Sequence, residues 1–116
     1  MKEINELLEV RIATLEDHIN QDGKWINDNF LGYFMKGRIT IEEQWLAESR
    51  RIIEAQNLTS EDLVKVLEER RAILKSYLAD QKNRFNTTDG QEMRGEAVIT
   101  GHWLEETERL LQTLQK

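Results

Sequence analysis

Apolar residues recur along this chain at the three- and four-residue spacing that places side chains on one face of an α-helix. Ile4, Leu7, Leu8, Ile12, Leu15 and Ile19 form the first such stripe and predict a helix from Lys2 to Gln21. Asp22-Gly23 should stop it, because glycine accepts the left-handed conformation that ends many helices. A segment from Trp25 to Phe34, dense in large apolar residues, comes next. The second helix is predicted from Phe34 to Gln56, with Met35, Ile39, Leu46 and Ile53 on its stripe and Ile41, Trp45 and Ile52 on the flank. Asn57 to Ser60 is a clear break, where Thr59 and Asp62 stand at capping-box spacing. The third helix runs to about Phe85 with Leu63, Val66, Leu67, Ile73, Leu74, Tyr77 and Leu78 inward. Asn86 to Gly90 is a second break, and Thr88 with Gln91 forms a further capping box. The last helix carries Met93, Ala97, Trp103 or Leu104, Leu110, Leu111 and Leu114. The expected fold is one all-α domain over residues 1–116, with four helices in an antiparallel, bundle-like arrangement.

The pattern also repeats. Met35-Lys36-Gly37 aligns with Met93-Arg94-Gly95, and without a gap Ile41 meets Ile99, Trp45-Leu46 meets Trp103-Leu104, Glu48 meets Glu106 and Arg51 meets Arg109. The preceding helices match as well: Leu8-Glu9 with Leu67-Glu68, Arg11 with Arg70, Ala13 with Ala72 and Leu15 with Leu74. The offset is about 59 residues in the first pair of helices and about 58 in the second. Two tandem helical hairpins, residues 1–57 and 58–116, follow from this, each needing the other to bury its apolar face. In such a repeat Gly37 and Gly95 should permit a close approach or a capping turn near the start of the second helix of each hairpin. Trp45 and Trp103 are expected as core anchors. Arg11 with Glu48, and Arg70 with Glu106, are expected as equivalent ion pairs across each hairpin.

Composition narrows the function classes. The chain has no proline, and 39% of its residues are hydrophobic against 33% charged, which suits a helical globular protein. A net charge of −6, with basic residues interspersed among acidic ones, argues against general nucleic-acid binding. The absence of cysteine excludes disulfides, thiolate metal sites and thiol nucleophiles. Neither a signal peptide nor a run of about 18 apolar residues is present, so a cytoplasmic protein without a membrane role is expected. The glycosylation-type triplets at Asn57 and Asn86 are then chance matches.

Candidate chemistry is sparse. His18 and His102 stand in no Glu-x-x-His or His-x-x-x-His pattern, so a di-metal bundle site is not expected. His102 with Glu105 and Glu106 is more simply a solvated face than a metal site. Adjacent acids such as Glu42-Glu43 point about 100° apart on a helix and do not form a catalytic dyad. No serine sits in a nucleophile elbow, and no glycine-rich phosphate loop exists. No enzyme activity and no cofactor are expected. Arg50, Arg51, Arg70, Arg71 and Arg94 are the candidate anion-binding residues, because a planar guanidinium grips phosphate with two hydrogen bonds. The aromatic connection, with Trp25, Phe30, Leu31, Tyr33 and Phe34, is the candidate partner-binding site, since its counterpart from Phe85 to Glu92 is polar. The alternative is that these rings fold back over the protein's own core.

Each half pairs a helix of the type Leu8-Glu9-Val10-Arg11 with one that opens on Met35-Lys36-Gly37 and carries Trp45-Leu46. In this it resembles small helical-hairpin proteins of tailed phages. The resemblance covers both halves and implies a non-enzymatic interaction protein that sequesters or inhibits a host factor such as a defence protein in the bacterial cytoplasm. The alternatives it implies are an oligomeric sponge that binds cyclic or signalling nucleotides at a subunit interface, and a structural component of a phage particle. A host protein is the expected partner, a nucleotide the alternative ligand, and a homo-oligomer the expected assembly.

Overall fold

The computed structural model describes residues 2–26, 30–55, 58–86 and 90–115, all of them in or beside four helices. Helix α1 spans Lys2–Gly23, α2 Phe30–Glu54, α3 Ser60–Asn83 and α4 Gly90–Leu114. No strand occurs among the described residues, and no helix among them is long and apolar enough to cross a membrane.

The local signals act much as their chemistry dictates. Thr59 caps α3: its hydroxyl accepts the Asp62 N–H at 3.1 Å, and the Asp62 carboxylate accepts the Thr59 N–H at 3.3 Å. The second capping box falls on Thr88, outside the described residues. Helix α1 does end at Gly23, but no glycine among the described residues has a positive φ, so its end does not use the left-handed conformation. Helix α2 begins at Phe30, four residues earlier than the apolar stripe predicts, so the second half of the aromatic connection, from Phe30 to Phe34, is helical. The sequence permits this, because Asn27-Asp28-Asn29 supplies helix-starting residue types and the one weak helix former from Phe30 to Phe34, Gly32, costs only about 1 kcal/mol.

Helix α1 packs against α2, α3 against α4, and α2 against α4. Gly37 lies beside Glu92 and Glu96, Trp45 beside Trp103, and Ile52 in one cluster with Leu110 and Leu111. The second helices of the two hairpins therefore run side by side in the same direction, while each runs antiparallel to its own first helix. The result is a flattened bundle of 45 × 28 × 19 Å. One apolar cluster joins Ile4, Leu8, Ile52, Leu63, Leu67, Leu110 and Leu111 at one end. The other centres on Leu15, Ile41, Trp45, Leu46, Leu74, Ile99 and Trp103.

Because α2 faces both α1 and α4, its buried face is the flank Ile41, Trp45 and Ile52 together with Leu46, and Met35, Ile39 and Ile53 are only half-buried. Leu7, Ile73 and Tyr77 are exposed for the related reason that the outer helices α1 and α3 bury a narrow stripe.

Candidate functional site

The two halves are related by a pseudo-two-fold operation whose centre is the tryptophan pair. Trp45 and Trp103 stack with centroids 6.0 Å apart and planes 10° from parallel, each about 5% exposed. The Arg11 guanidinium lies 4.6 Å from the Trp45 ring centre and that of Arg70 5.0 Å from Trp103. The expected pairs Arg11–Glu48 and Arg70–Glu106 do not form; the same four residues pair the other way round. Arg11 pairs with Glu106, and Arg70 pairs with Glu48 at 2.6 Å. Each arginine stacks on the tryptophan of its own hairpin and takes its carboxylate from the other. The side-by-side packing of α2 and α4 causes the exchange, because it brings the glutamate of each hairpin under the arginine of its neighbour.

The glycines make that packing possible. A Cβ on Gly37 would overlap the carbonyl of Glu92, and a Cβ on Gly95 the carbonyl of Phe34. Both positions serve the close approach that the repeat predicts.

Two surfaces stand apart from this shared centre. The first is the end where α2 and α4 begin. Trp25 is 54% exposed, Tyr33 43% and Ile26 42%, so these residues do not cap the core. Phe34 is half-buried and forms a wall of an open, largely apolar groove of about 460 Å³ with Leu78, Phe85, Ala97 and Val98. The side chains of Phe30 and Leu31 lie outside the described residues. Cations fringe this end: Lys36 sits 5.1 Å over the Tyr33 ring, Arg94 4.7 Å over Phe85, and Lys82 lines the groove.

The five candidate anion-binding arginines are not gathered in one place. Arg94 belongs to this aromatic end, near the start of α4. Arg50 reaches Glu16 at 3.0 Å, Arg70 is committed to Glu48 and Trp103, and Arg51 is exposed near the end of α2. Arg71 is half-buried on α3.

The second surface is a cleft of about 270 Å³ between α1, α2 and α4, which the sequence pattern alone does not reveal. Arg11, His18, Arg38, Glu42, His102, Glu105 and Arg109 supply its polar lining. Glu42 is 1% exposed, and its oxygens accept no N–H or O–H hydrogen bond. His18 Nδ1 is 3.6 Å from its carboxylate, and Arg38 gives its Nε–H to Asp22 at 3.2 Å. Burial, a hydrogen bond to Asp22 and the charge of that carboxylate push the Glu42 carboxyl up to about 8, against the opposing pull of Arg38. Glu42 is therefore protonated near neutral pH. No group of three or more histidine or acidic residues among the described residues is placed to hold a metal, and Glu106 turns from His102 toward Arg11.

The signal for this cleft lies in the departures from the repeat. At the same offsets, His18 corresponds to Tyr77, Asp22 to Gln81, Arg38 to Glu96, Glu42 to Thr100, His102 to Gln44 and Glu105 to Ala47. Tyr77, Gln81 and Glu96 form their own cluster, in which Gln81 donates to Glu96 at 3.4 Å and burial and Glu96 raise the Tyr77 hydroxyl. Compared with protein-family models, with curated proteins and with solved structures, the chain matches none.

Proposed function

We propose that this protein is a non-catalytic interaction protein that captures and sequesters a partner protein through its aromatic end. The observation that carries this reading is the exposure of Trp25, Ile26 and Tyr33 at the end of the bundle where α2 begins, the same end at which Phe34 and Phe85 wall the open apolar groove. A protein with a modest core gains nothing in folding from leaving such rings in water, whereas large aromatic side chains are the residue type that anchors interfaces. Lys36, Lys82 and Arg94 form a basic rim around this apolar centre. The complementary partner is an apolar segment flanked by acidic residues.

A photo-reactive residue placed at position 25 should cross-link one partner protein, whereas the same group at the exposed position 73 of α3 should not. The double substitution Trp25→Ala and Tyr33→Ala should abolish capture and leave helicity and the melting midpoint nearly unchanged, since both side chains are exposed. Undiminished capture by the double variant would show that the aromatic end is not the site.

A further inference from the structure

We propose that the cleft between α1, α2 and α4 binds a small molecule carrying a phosphate group, independently of the aromatic end. Cationic or donor side chains line this cleft from three directions: Arg11 and His18 from α1, Arg38 from α2, His102 and Arg109 from α4, of which Arg11 is paired with Glu106 and Arg38 with Asp22. Donors converging from three helices suit a tetrahedral oxyanion, and guanidinium groups grip phosphate oxygens in pairs. In a chain of net charge −6, such a gathering is not a solubility device.

The comparison of the two hairpins strengthens the assignment. Arg11, Leu15, Trp45, Ile99 and Arg109 line the cleft, and the other half keeps the same or the same type of residue as Arg70, Leu74, Trp103, Ile41 and Arg51. Of these, Leu15, Trp45 and Ile99 and their counterparts are buried in the core, and Arg11 and Arg70 stack on the tryptophans. His18, Arg38, Glu42, His102 and Glu105 occur on one side alone, where the other half has Tyr77, Glu96, Thr100, Gln44 and Ala47. The repeat does not dictate them, since the other half fills the same positions with a different cluster.

Glu42 is the second independent mark. A carboxyl group buried with only another carboxyl for a hydrogen-bond partner is costly, and the equivalent position is a threonine. Protonated, Glu42 adds no charge of its own to the cleft, and the charge of Asp22 beside it is met by Arg38. The groups facing it are Asp22 and His18 from α1, Arg38 from its own helix, and His102, Glu105 and Arg109 across the cleft on α4. About 270 Å³ lies just below the usual ~300–1,000 Å³ of small-molecule sites, which fits a phosphate with a short organic body.

Calorimetry with inorganic phosphate and with glycerol 3-phosphate tests this directly. The full chain should bind at least one of them at a single site near pH 7. Binding should weaken as the pH rises past about 8 and Glu42 ionises, and Glu42→Gln should remove that fall. Converting the cleft toward its counterpart with His18→Tyr and His102→Gln should weaken binding by about tenfold or more while circular dichroism stays unchanged. Should that double variant lose helicity, Arg109→Ala on the exposed face of α4 is expected to give a similar loss of affinity. Failure of both probes to bind at about 10 mM, or unchanged affinity in a folded cleft variant, would overturn the proposal.

Discussion

Burial of a carboxyl group raises the free energy of its charged form, because surrounding side chains replace water poorly. At Glu42 the effect outweighs the neighbouring Arg38 and raises the carboxyl from an ordinary 4.5 to about 8. Between those two values the folded protein holds a proton that the unfolded chain has released. The stabilisation from that proton is complete below about 4.5 and is lost as the pH rises through about 8. Glu42→Gln, which stays neutral, should therefore gain stability relative to the parent as the pH rises. The gain between pH 5 and pH 8.5 should be of order 4 kcal/mol in urea unfolding. Parallel stability curves for the two proteins would mean that the carboxyl is already ionised at neutral pH.

Where whole elements meet, the decisive contact is backbone against backbone. Helices α2 and α4 approach so closely at Gly37 and Gly95 that a methyl group at either position would overlap a carbonyl of the opposite helix. Relief requires separating the helices, and with them the stacked tryptophans. Gly37→Ala or Gly95→Ala should lower stability by about 2–3 kcal/mol in denaturant titration. Gly101→Ala, on the same α4 but with open space around it, should instead be neutral or stabilising by about 0.5–1 kcal/mol.

These glycines were legible in the sequence because they recur at one offset beside Met and Trp. The cap at Thr59 was legible because a capping box is a local device. The start of α2 was not, since an apolar stripe marks which face is buried and not where the backbone first turns helical. Nor was the rotation of the buried face of α2 toward Ile41 and Trp45. That face depends on which second helix lies alongside, and no periodicity within one helix contains that information.

At the scale of the whole molecule, the halves are joined by exchanged charges. Arg11 and Glu106 belong to different hairpins, as do Arg70 and Glu48, and all four are largely shielded from water. A double-mutant cycle between Arg11 and Glu106 should return a coupling of about 1 kcal/mol or more, while the same cycle between Arg11 and Glu48 should return close to zero. The repeat identified the four residues correctly and paired them wrongly. Two copies of one unit state which residues are equivalent, and leave open whether equivalent groups meet within a copy or between copies. The charged cleft was hidden for a related reason. Its residues come from three helices, and a search for what the copies share passes over the places where they differ.

The pseudo-two-fold relation has a consequence for stoichiometry. Two identical hairpins assembled about the same axis would carry every surface feature in duplicate and present two equal clefts. Joining the hairpins in one chain releases one cleft from that equality: Glu42 and His18 on one side can change while Thr100 and Tyr77 on the other stay as they are. A ligand that recognises the charged cleft therefore meets one site per chain, in a scaffold whose framework is built for two.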